Sequence, residues 1–399
     1  GRVGMWGNSW GGINALQVAA LQPPALAAIL PIGFADDRYH GDCHFMGGCM
    51  LEGNISWGGS FFAGRSLPPD PAVVGARWRD MWLQRLEHAQ PPPATWLAHQ
   101  RRDAYWRAAS VCEDYGRIRV PVYAVNGWQD SYARNILPLL ERLAVPKKAL
   151  IGPWAHSWPH LARPGPAIGF LQEALRWWDH WLKDIDNGIM DEPMLRVWMG
   201  RWTPPAKLVP QWPGHWVAEA RWPRPGAASQ TLVLASDGLR DAAGAPPAPV
   251  ELLVRSPQTT GLRAGYQCSY GLGPDLSDDQ RIDDAQSLCF DSLPLEHGLQ
   301  LLGEPELELE LSSDQPQALL AARLCELAPD GRSLRLSYGL LNLSHRDGSA
   351  APEPLVPGRS CRVRLRLCAL AHAVAPGHRI RLALSNAYWP IAWPAPLST

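Results

Sequence analysis

The sequence predicts an α/β domain that is interrupted by a helical segment and followed by an all-β domain. Three observations carry this reading. Residues 1–36 and 117–204 alternate short apolar runs with helical spacings, the rhythm of a parallel sheet covered by helices. Residues 37–116 turn to loops rich in Gly, His and aromatic side chains and then to helical patterns. Residues 205–399 read almost wholly as strands with one polar face. With 399 residues, 46% apolar and 19% charged, the chain is globular and large enough for two or three domains.

Composition removes several classes of function. Lys plus Arg is 37 and Asp plus Glu is 38, a net charge of -1, so nothing electrostatic points to nucleic acid or an anionic membrane. The longest apolar stretch, Ala25 to Ala35, is broken by Pro31 and Gly33 and is too short to span a bilayer. The eight cysteines (Cys43, Cys49, Cys112, Cys268, Cys289, Cys325, Cys361, Cys368) are too sparse for a disulfide scaffold. No signal peptide is visible. The expectation is a soluble protein, cytoplasmic by default, with a homo-oligomer left open.

Taken in order, residues 2–6 suit a buried strand, residues 7–12 a tight turn and residues 13–21 a helix stopped by Pro23-Pro24. Residues 28–32 form the next strand. Val74, Trp78, Trp82 and Leu86 recur every four residues, and residues 95–108 give a second helical candidate beyond Pro91-Pro92-Pro93. The α/β rhythm returns with a strand at 122–125, a helix at 135–143 and a strand at 149–151. A long helix follows with Leu171, Leu175, Trp178 and Leu182 on one face, then a strand at 195–199. Residues 203–213 hold four prolines and read as a linker. Beyond it, Leu307, Leu309 and Leu311 alternate with Glu306, Glu308 and Glu310. Val363, Leu365 and Leu367 alternate with Arg362, Arg364 and Arg366, and strands at 334–338 and 380–384 repeat the pattern. Were the Glu and Arg strands neighbours, their polar faces would pair.

The sharpest chemical signal is Gly7-Asn8-Ser9-Trp10-Gly11, a G-x-S-x-G sequence between a strand and a helix. A serine hydroxyl is a weak nucleophile, so it is lifted onto a strained turn. The flanking glycines let backbone approach closely, and the helix start faces the charge that develops. Such a serine needs a histidine base and an acid to orient it, and α/β-hydrolases deliver them later, acid first, on loops after strands. Asp130 lies just past the strand at 122–125, and His156 just past the strand at 149–151. Alone, Asp130 could be a helix cap and His156 a loop residue; together, order and position favour chemistry. His160 is the nearest rival to His156.

These blocks carry a resemblance. Gly7-Asn8-Ser9-Trp10-Gly11, Gly127-Trp128-Gln129-Asp130 and Gly152-Pro153-Trp154-Ala155-His156-Ser157 resemble the triad blocks of the cocaine esterase / X-Pro dipeptidyl-peptidase (CocE/NonD, S15) family of serine hydrolases. Arg176-Trp177-Trp178-Asp179-His180-Trp181-Leu182-Lys183, Asp186-Asn187-Gly188-Ile189, Pro376-Gly377-His378-Arg379-Ile380-Arg381-Leu382 and Ser385-Asn386 are similar to further blocks of it. The resemblance implies an α/β hydrolase core (1–36 and 117–204) with an inserted helical cap (37–116) and a C-terminal β-sandwich jelly roll (205–399). It implies Ser9 as nucleophile, Asp130 as acid, His156 as base and the Trp10 backbone N–H as an oxyanion donor, with no cofactor and no metal. Family members carry further strands before the elbow, and a tyrosine there whose hydroxyl completes the oxyanion hole. The sequence starts one strand before Ser9, so a partial sheet and a fragment of a longer protein are expected.

Other clusters are weighed beside this one. His40, Cys43, His44 and Cys49 are metal-ligand types, but without paired C-x-x-C spacing they read as a cap loop lining the cleft. Trp57, Phe61, Phe62, Trp128, Tyr132 and Trp158 are expected to share the roles of apolar substrate pocket and plain packing. Asp275, Asp278, Asp279, Asp283 and Asp284 lack an EF-hand pattern and read as a solvated turn. Family members acting on α-amino esters place acidic residues next to the triad acid; here Ser131 and Tyr132 follow Asp130. The expected function is hydrolysis of a carboxylic ester, or an acyl or amide bond, in a small ester or peptide substrate through an acyl-enzyme. The alternatives are an X-Pro dipeptidyl-peptidase and, from another class, a non-catalytic jelly-roll binding protein or an inactive truncation.

Overall fold

The computed structural model of the chain describes residues 1–245, 247–266 and 275–396. β1 (Val3–Asn8), α1 (Trp10–Ala20) and β2 (Leu26–Ile32) form a parallel βαβ unit. The expected six-residue turn contracts to Ser9 alone, because Gly11 and Gly12 already belong to α1. The glycines make this contraction sterically feasible. A Cβ on Gly12 would stand 2.6 Å from the Ile32 carbonyl oxygen, and one on Gly7 would stand 2.6 Å from the Gly11 Cα.

The segment between β2 and the next core strand holds a short hairpin, β3 (Phe45–Met46) and β4 (Cys49–Met50), then α2 (Gly53–Arg65), α3 (Pro71–Val74), α4 (Trp78–His88), α5 (Pro92–Ala98) and α6 (Ala104–Ala108). Two expectations are corrected here. The four-residue spacing from Val74 to Leu86 does not make one helix, since Gly75 takes φ +63° between α3 and α4. The candidate at 95–108 is two helices, because the Asp103 carboxylate accepts the Tyr105 N–H at 3.0 Å and opens α6 as a new N-cap. The sequence reading did not find α2.

β5 (Val122–Gly127), α7 (Ile136–Arg142), β6 (Lys147–Gly152), α8 (Phe170–Lys183) and β7 (Leu195–Arg201) complete a parallel sheet in the order β1-β2-β5-β6-β7. Buried on both faces, β5 sends Val122 and Ala124 towards α1 and α7, and Tyr123 and Val125 towards α8. The buried face of α8 is Phe170, Ala174 and Trp177, one residue round from the expected stripe. Leu171 and Leu175 are exposed, while Trp178 and Leu182 press on Gly4 of β1.

The C-terminal region contains β8 (Gly214–Glu219), β9 (Leu232–Ala235), β10 (Gly238–Asp241), α9 (Arg281–Asp284), β11 (Leu288–Asp291), β12 (Leu299–Gly303), β13 (Glu306–Leu311), β14 (Leu319–Leu327), β15 (Ser333–Asn342), β16 (Cys361–Arg366), β17 (Leu370–Val374) and β18 (Arg379–Ser385). A sheet ordered β11-β18-β14-β15 and the β13-β16 ribbon enclose a core of Leu307, Val363, Leu365, Leu320, Leu341 and Leu382, giving the β-rich C-terminal domain. The Glu and Arg strands are neighbours, with Glu306 opposite Arg366, Glu308 opposite Arg364 and Glu310 opposite Arg362. β17 pairs in parallel with β7 through His372–Gly200 and Ala373–Arg201, and β12 pairs with β17. The core sheet therefore continues past residue 204 into C-terminal strands.

Residues 203–213 have no regular element, as a linker should, but Val209 and Trp212 are buried, so the segment is packed down. Within the acidic run, Asp283 and Asp284 are buried, not solvated. Asp283 accepts the Arg263 N–H, and Asp284 pairs with Arg323 and Arg381 at 3.1 Å. The seven described cysteines are free, and Cys268 lies outside the described residues. Among the described residues, no helix is long and apolar enough to cross a membrane.

Candidate active site

The parallel strands β1, β2, β5 and β6 deliver their carboxyl ends to one edge of the sheet, where such sheets place their sites. Ser9 follows β1 with φ 63° and ψ -122°, a left-handed conformation that costs a non-glycine residue on the order of 1–3 kcal/mol. It is pinned from both sides. Its N–H donates to the Ile32 carbonyl at 2.9 Å, and its carbonyl accepts the Ile13 N–H at 3.0 Å. The next residue, Trp10, opens α1 with its backbone N–H at the positive end of the helix.

The loops after β5 and β6 are joined to each other. The Trp128 N–H donates to the Gly152 carbonyl at 2.9 Å and the Gln129 N–H to the Trp154 carbonyl at 3.0 Å. A Cβ on Gly127 would lie 2.0 Å from that Trp154 oxygen, which is why glycine stands there. This union brings His156 Nδ1 to 2.8 Å from Asp130 Oδ2, with side chains only 6% and 3% exposed. Asp130 keeps its second role as well, since Oδ1 caps the turn at Ser131–Asn135 by accepting the Tyr132 N–H at 3.1 Å. The capping and orienting readings of Asp130 are thus compatible, one on each oxygen. Burial disfavours the His156 imidazolium, but the charge and hydrogen bond of Asp130, helped by Asp42, outweigh it and raise the imidazole above its ordinary value.

Gly33, after β2, marks where the three strand ends meet. A Cβ there, at φ +51°, would stand 2.8 Å from Asn8 Oδ1, 3.1 Å from Asp130 Oδ2 and 3.2 Å from His156 Cε1. Asn8 (the neighbour of Ser9), Asp130 and His156 therefore surround one hydrogen-only position. His160 instead stacks on Phe170, with centroids 6.2 Å apart.

The structure divides the expected aromatic set. Phe61 of α2 stacks on Trp10 at 5.7 Å, Trp57 lies tilted against Trp10 at 5.4 Å, and Trp57 stacks on Trp96 of α5 at 5.3 Å. Phe62 follows on the same helix, half-buried. Trp128 donates its indole N–H to the Trp198 carbonyl at 2.8 Å and lines a separate cavity of about 30 Å³ with Pro153, Trp212 and His372. Trp158 packs on Trp6 at 5.2 Å. Tyr132 is buried beside His156, ring centroids 5.3 Å apart. The six residues are thus not gathered into one set: Trp57 and Phe61 form a shelf with Trp10, Tyr132 stands beside His156, and Trp128 and Trp158 pack against other partners. Trp10 as a ring and Trp96 were missed, since only helix packing brings them to Trp57.

The loop with His40, Cys43, His44 and Cys49 does not line an open cleft, since Cys43, His44 and Cys49 are buried. Ligand-type atoms of Asp42, Cys43 and His44 lie within 4.8 Å of one another, yet their surroundings suit a salt bridge better than a cation. The Asp42 carboxylate faces the Arg38 guanidinium at 2.7 Å and accepts the Tyr132 hydroxyl and the Cys43 N–H at 2.7 Å. His44 bonds Asn54 Oδ1 through Nδ1 at 3.0 Å, and burial pushes its imidazole down to about 4.

Against this geometry the comparisons are specific. Residues 1–158 match the X-Pro dipeptidyl-peptidase (S15 family) profile, and residues 187–399, more than half of the chain, match the X-Pro dipeptidyl-peptidase C-terminal non-catalytic domain. The chain belongs to the S15 family of hydrolases. A cocaine esterase of Rhodococcus sp. is 24% identical, aligned over 98% of this chain and 74% of its own. Relatives in Mycobacterium bovis and Mycobacterium tuberculosis, carrying provisional serine-esterase names, are 28% identical over 71% of this chain; the match spans 46% of their own length. An α-amino acid ester hydrolase structure superposes with TM-score 0.75 at 21% identity, covering all of this chain and 71% of its own, which shows the α/β-hydrolase fold of the S15 chain.

Proposed function

We propose that the chain is a serine hydrolase that cleaves carboxylic esters through an acyl-enzyme. The observation that carries the proposal is the convergence at Gly33 of the Ser9 elbow, Asp130 and His156, each at the end of a parallel strand. His156, with Nδ1–H donated to Asp130, offers Nε2 to the Ser9 hydroxyl and takes its proton as Oγ attacks the substrate carbonyl. Asp130 holds that tautomer and stabilises the imidazolium. The oxyanion of the tetrahedral intermediate is placed at the Trp10 N–H. His156 then protonates the departing alcohol, activates water, and the acyl group leaves Ser9 as an acid. The proposed cap, residues 37–116, supplies the Trp57–Phe61 wall beside Trp10, suited to an apolar acyl or alcohol group.

An ester is favoured over an X-Pro peptide because a peptide's N-terminal ammonium needs a pocket of its own, and no residue can be assigned to one beside Asp130. Ser131 and Tyr132 stand there, and the nearby Asp42 is matched by Arg38. Relatives bear names of both kinds, cocaine esterase and Xaa-Pro dipeptidyl-peptidase, so the test sets the two against each other. The chain and its Ser9→Ala variant are assayed on 4-nitrophenyl butyrate and on glycyl-prolyl-4-nitroanilide. Turnover of the ester that vanishes in the variant supports the proposal. Turnover of the anilide alone moves the reading to the peptidase.

A further inference from the structure

Among the buried charged groups that the proposed hydrolytic step does not use, Asp42 is in contact with a residue packed on His156. Asp42 lies in the segment after β2, 2% exposed, and its backbone carbonyl accepts a hydrogen bond from the Arg134 guanidinium on the turn after β5. Its carboxylate faces Arg38 Nη1 at 2.7 Å through Oδ2 and accepts the Tyr132 hydroxyl at 2.7 Å through Oδ1. Tyr132 in turn gives its N–H to Asp130 and lays its ring beside the His156 imidazole. The Arg38 guanidinium stands over the Trp10 ring, 5.7 Å from its centroid, on the residue next to Ser9.

We propose that Asp42 and Tyr132 are positioning residues of this centre: Asp42 anchors the Tyr132 ring against His156 and supplies a second negative charge that favours the imidazolium. The inference rests on reading His156 as the base. A ring packed on an imidazole restricts its swing away from Ser9, and a ring held only by packing would do so less firmly than one whose hydroxyl is tied to a fixed carboxylate. The anchor itself is held by three contacts at 2.7 Å, from Arg38, the Tyr132 hydroxyl and the Cys43 N–H; burial disfavours the Asp42 charge, but these partners keep its carboxyl below the usual carboxylate range. The charged and titratable groups around the pair are Asp130 from the loop after β5, Arg134 from the turn beyond it, and Arg38, Cys43 and His44 from the segment of Asp42 itself. His44 is neutral at pH 7, so Arg38 alone balances Asp42 from that segment.

The test reads His156 directly, without requiring turnover. Histidine-labelled chain is titrated by NMR, with the His156 signal assigned by its loss in His156→Gln. In Asp42→Asn the His156 pKa is expected to fall by roughly half a unit or more. Where that variant unfolds because Arg38 is left unpaired, Asp42→Asn is made on Arg38→Gln, and the His156 pKa of the double variant is expected to lie below that of Arg38→Gln alone. Tyr132→Phe keeps the charge, so its His156 pKa stays high while the imidazole signal broadens as the ring loses its tether. A His156 pKa unchanged in folded Asp42→Asn, or unchanged between Arg38→Gln and the double variant, overturns the proposal. Failure of the hydrolase reading looks different: Ser9 does not react with a serine-directed phosphonate, while the His156 shift persists.

Discussion

His156 Nδ1 and Asp130 Oδ2 are 2.8 Å apart and shielded from water, although 26 residues separate them in the chain. The contact depends on backbone bonds between two adjacent strand-end loops, so it is built into the sheet and not into side-chain flexibility. Replacing Asp130 by Asn keeps the shape and removes the orienting charge. Asp130→Asn is expected to lower kcat by on the order of 10⁴-fold, measured on 4-nitrophenyl butyrate. In the proposed mechanism His156 works only as neutral imidazole, and its pKa is raised, so activity of the parent chain should fall as pH drops through a value above the usual 6.5. In the variant that acid limb moves to lower pH.

Gly33 is the position where the three strand ends leave no room. Gly33→Ala would place a methyl between Asn8, Asp130 and His156 and would force a side-chain-bearing residue to φ +51°. The expected result is a drop in kcat of roughly 10²-fold from displaced catalytic groups, with a loss of about 1–2 kcal/mol of stability. Steady-state kinetics and urea denaturation check the two parts separately.

The Trp10–Trp57–Phe61 shelf predicts substrate preference. Trp57→Ala removes the central ring of the stack. The kcat/KM for a phenyl or benzoyl ester is expected to fall about tenfold, with a smaller change for an acetate ester. Equal losses on both would place the shelf outside the substrate's reach.

Asp36, at the junction of β2 and the inserted helices, is buried and accepts a hydrogen bond from the Tyr115 hydroxyl. Burial raises its pKa from 3.8 to about 6. The folded chain therefore holds this proton more tightly than the unfolded chain. It gains stability below pH 4, and that gain is lost as pH climbs to about 6. The cost at neutral pH is on the order of 3 kcal/mol. Asp36→Asn should consequently be stabilising at pH 7.5 and close to neutral at pH 4, as read by urea denaturation at both values.

Much of this architecture was legible in the residues. Ser9, Asp130 and His156 each follow an apolar run that the structure makes a parallel strand, and chain order supplied the rest. The Glu and Arg alternation showed two strands with complementary polar faces, and the structure makes them the neighbours β13 and β16. Long-range partnerships were not legible. Asp42 meets Tyr132 across 90 residues, and neither residue signals the other. Helix α2 was hidden by its glycines, yet Gly58 is the surface on which Pro93 and Trp96 of α5 pack, 2.4 and 2.8 Å from where a Cβ would lie. On α8 the apolar residues cover two adjacent stripes, so periodicity could not tell Phe170, Ala174 and Trp177 from the exposed Leu171 and Leu175. The strand pairing of β17 with β7 carries no local signature at all, because it is made by backbone groups.

The most direct test of the account is covalent labelling of the chain with a fluorophosphonate, followed by peptide mass spectrometry, with Ser9→Ala and His156→Gln as controls. The account predicts one adduct, on Ser9, formed fast in the parent chain, absent in Ser9→Ala and strongly slowed in His156→Gln. A folded chain that leaves Ser9 unmodified, or that reacts equally well without His156, would contradict it.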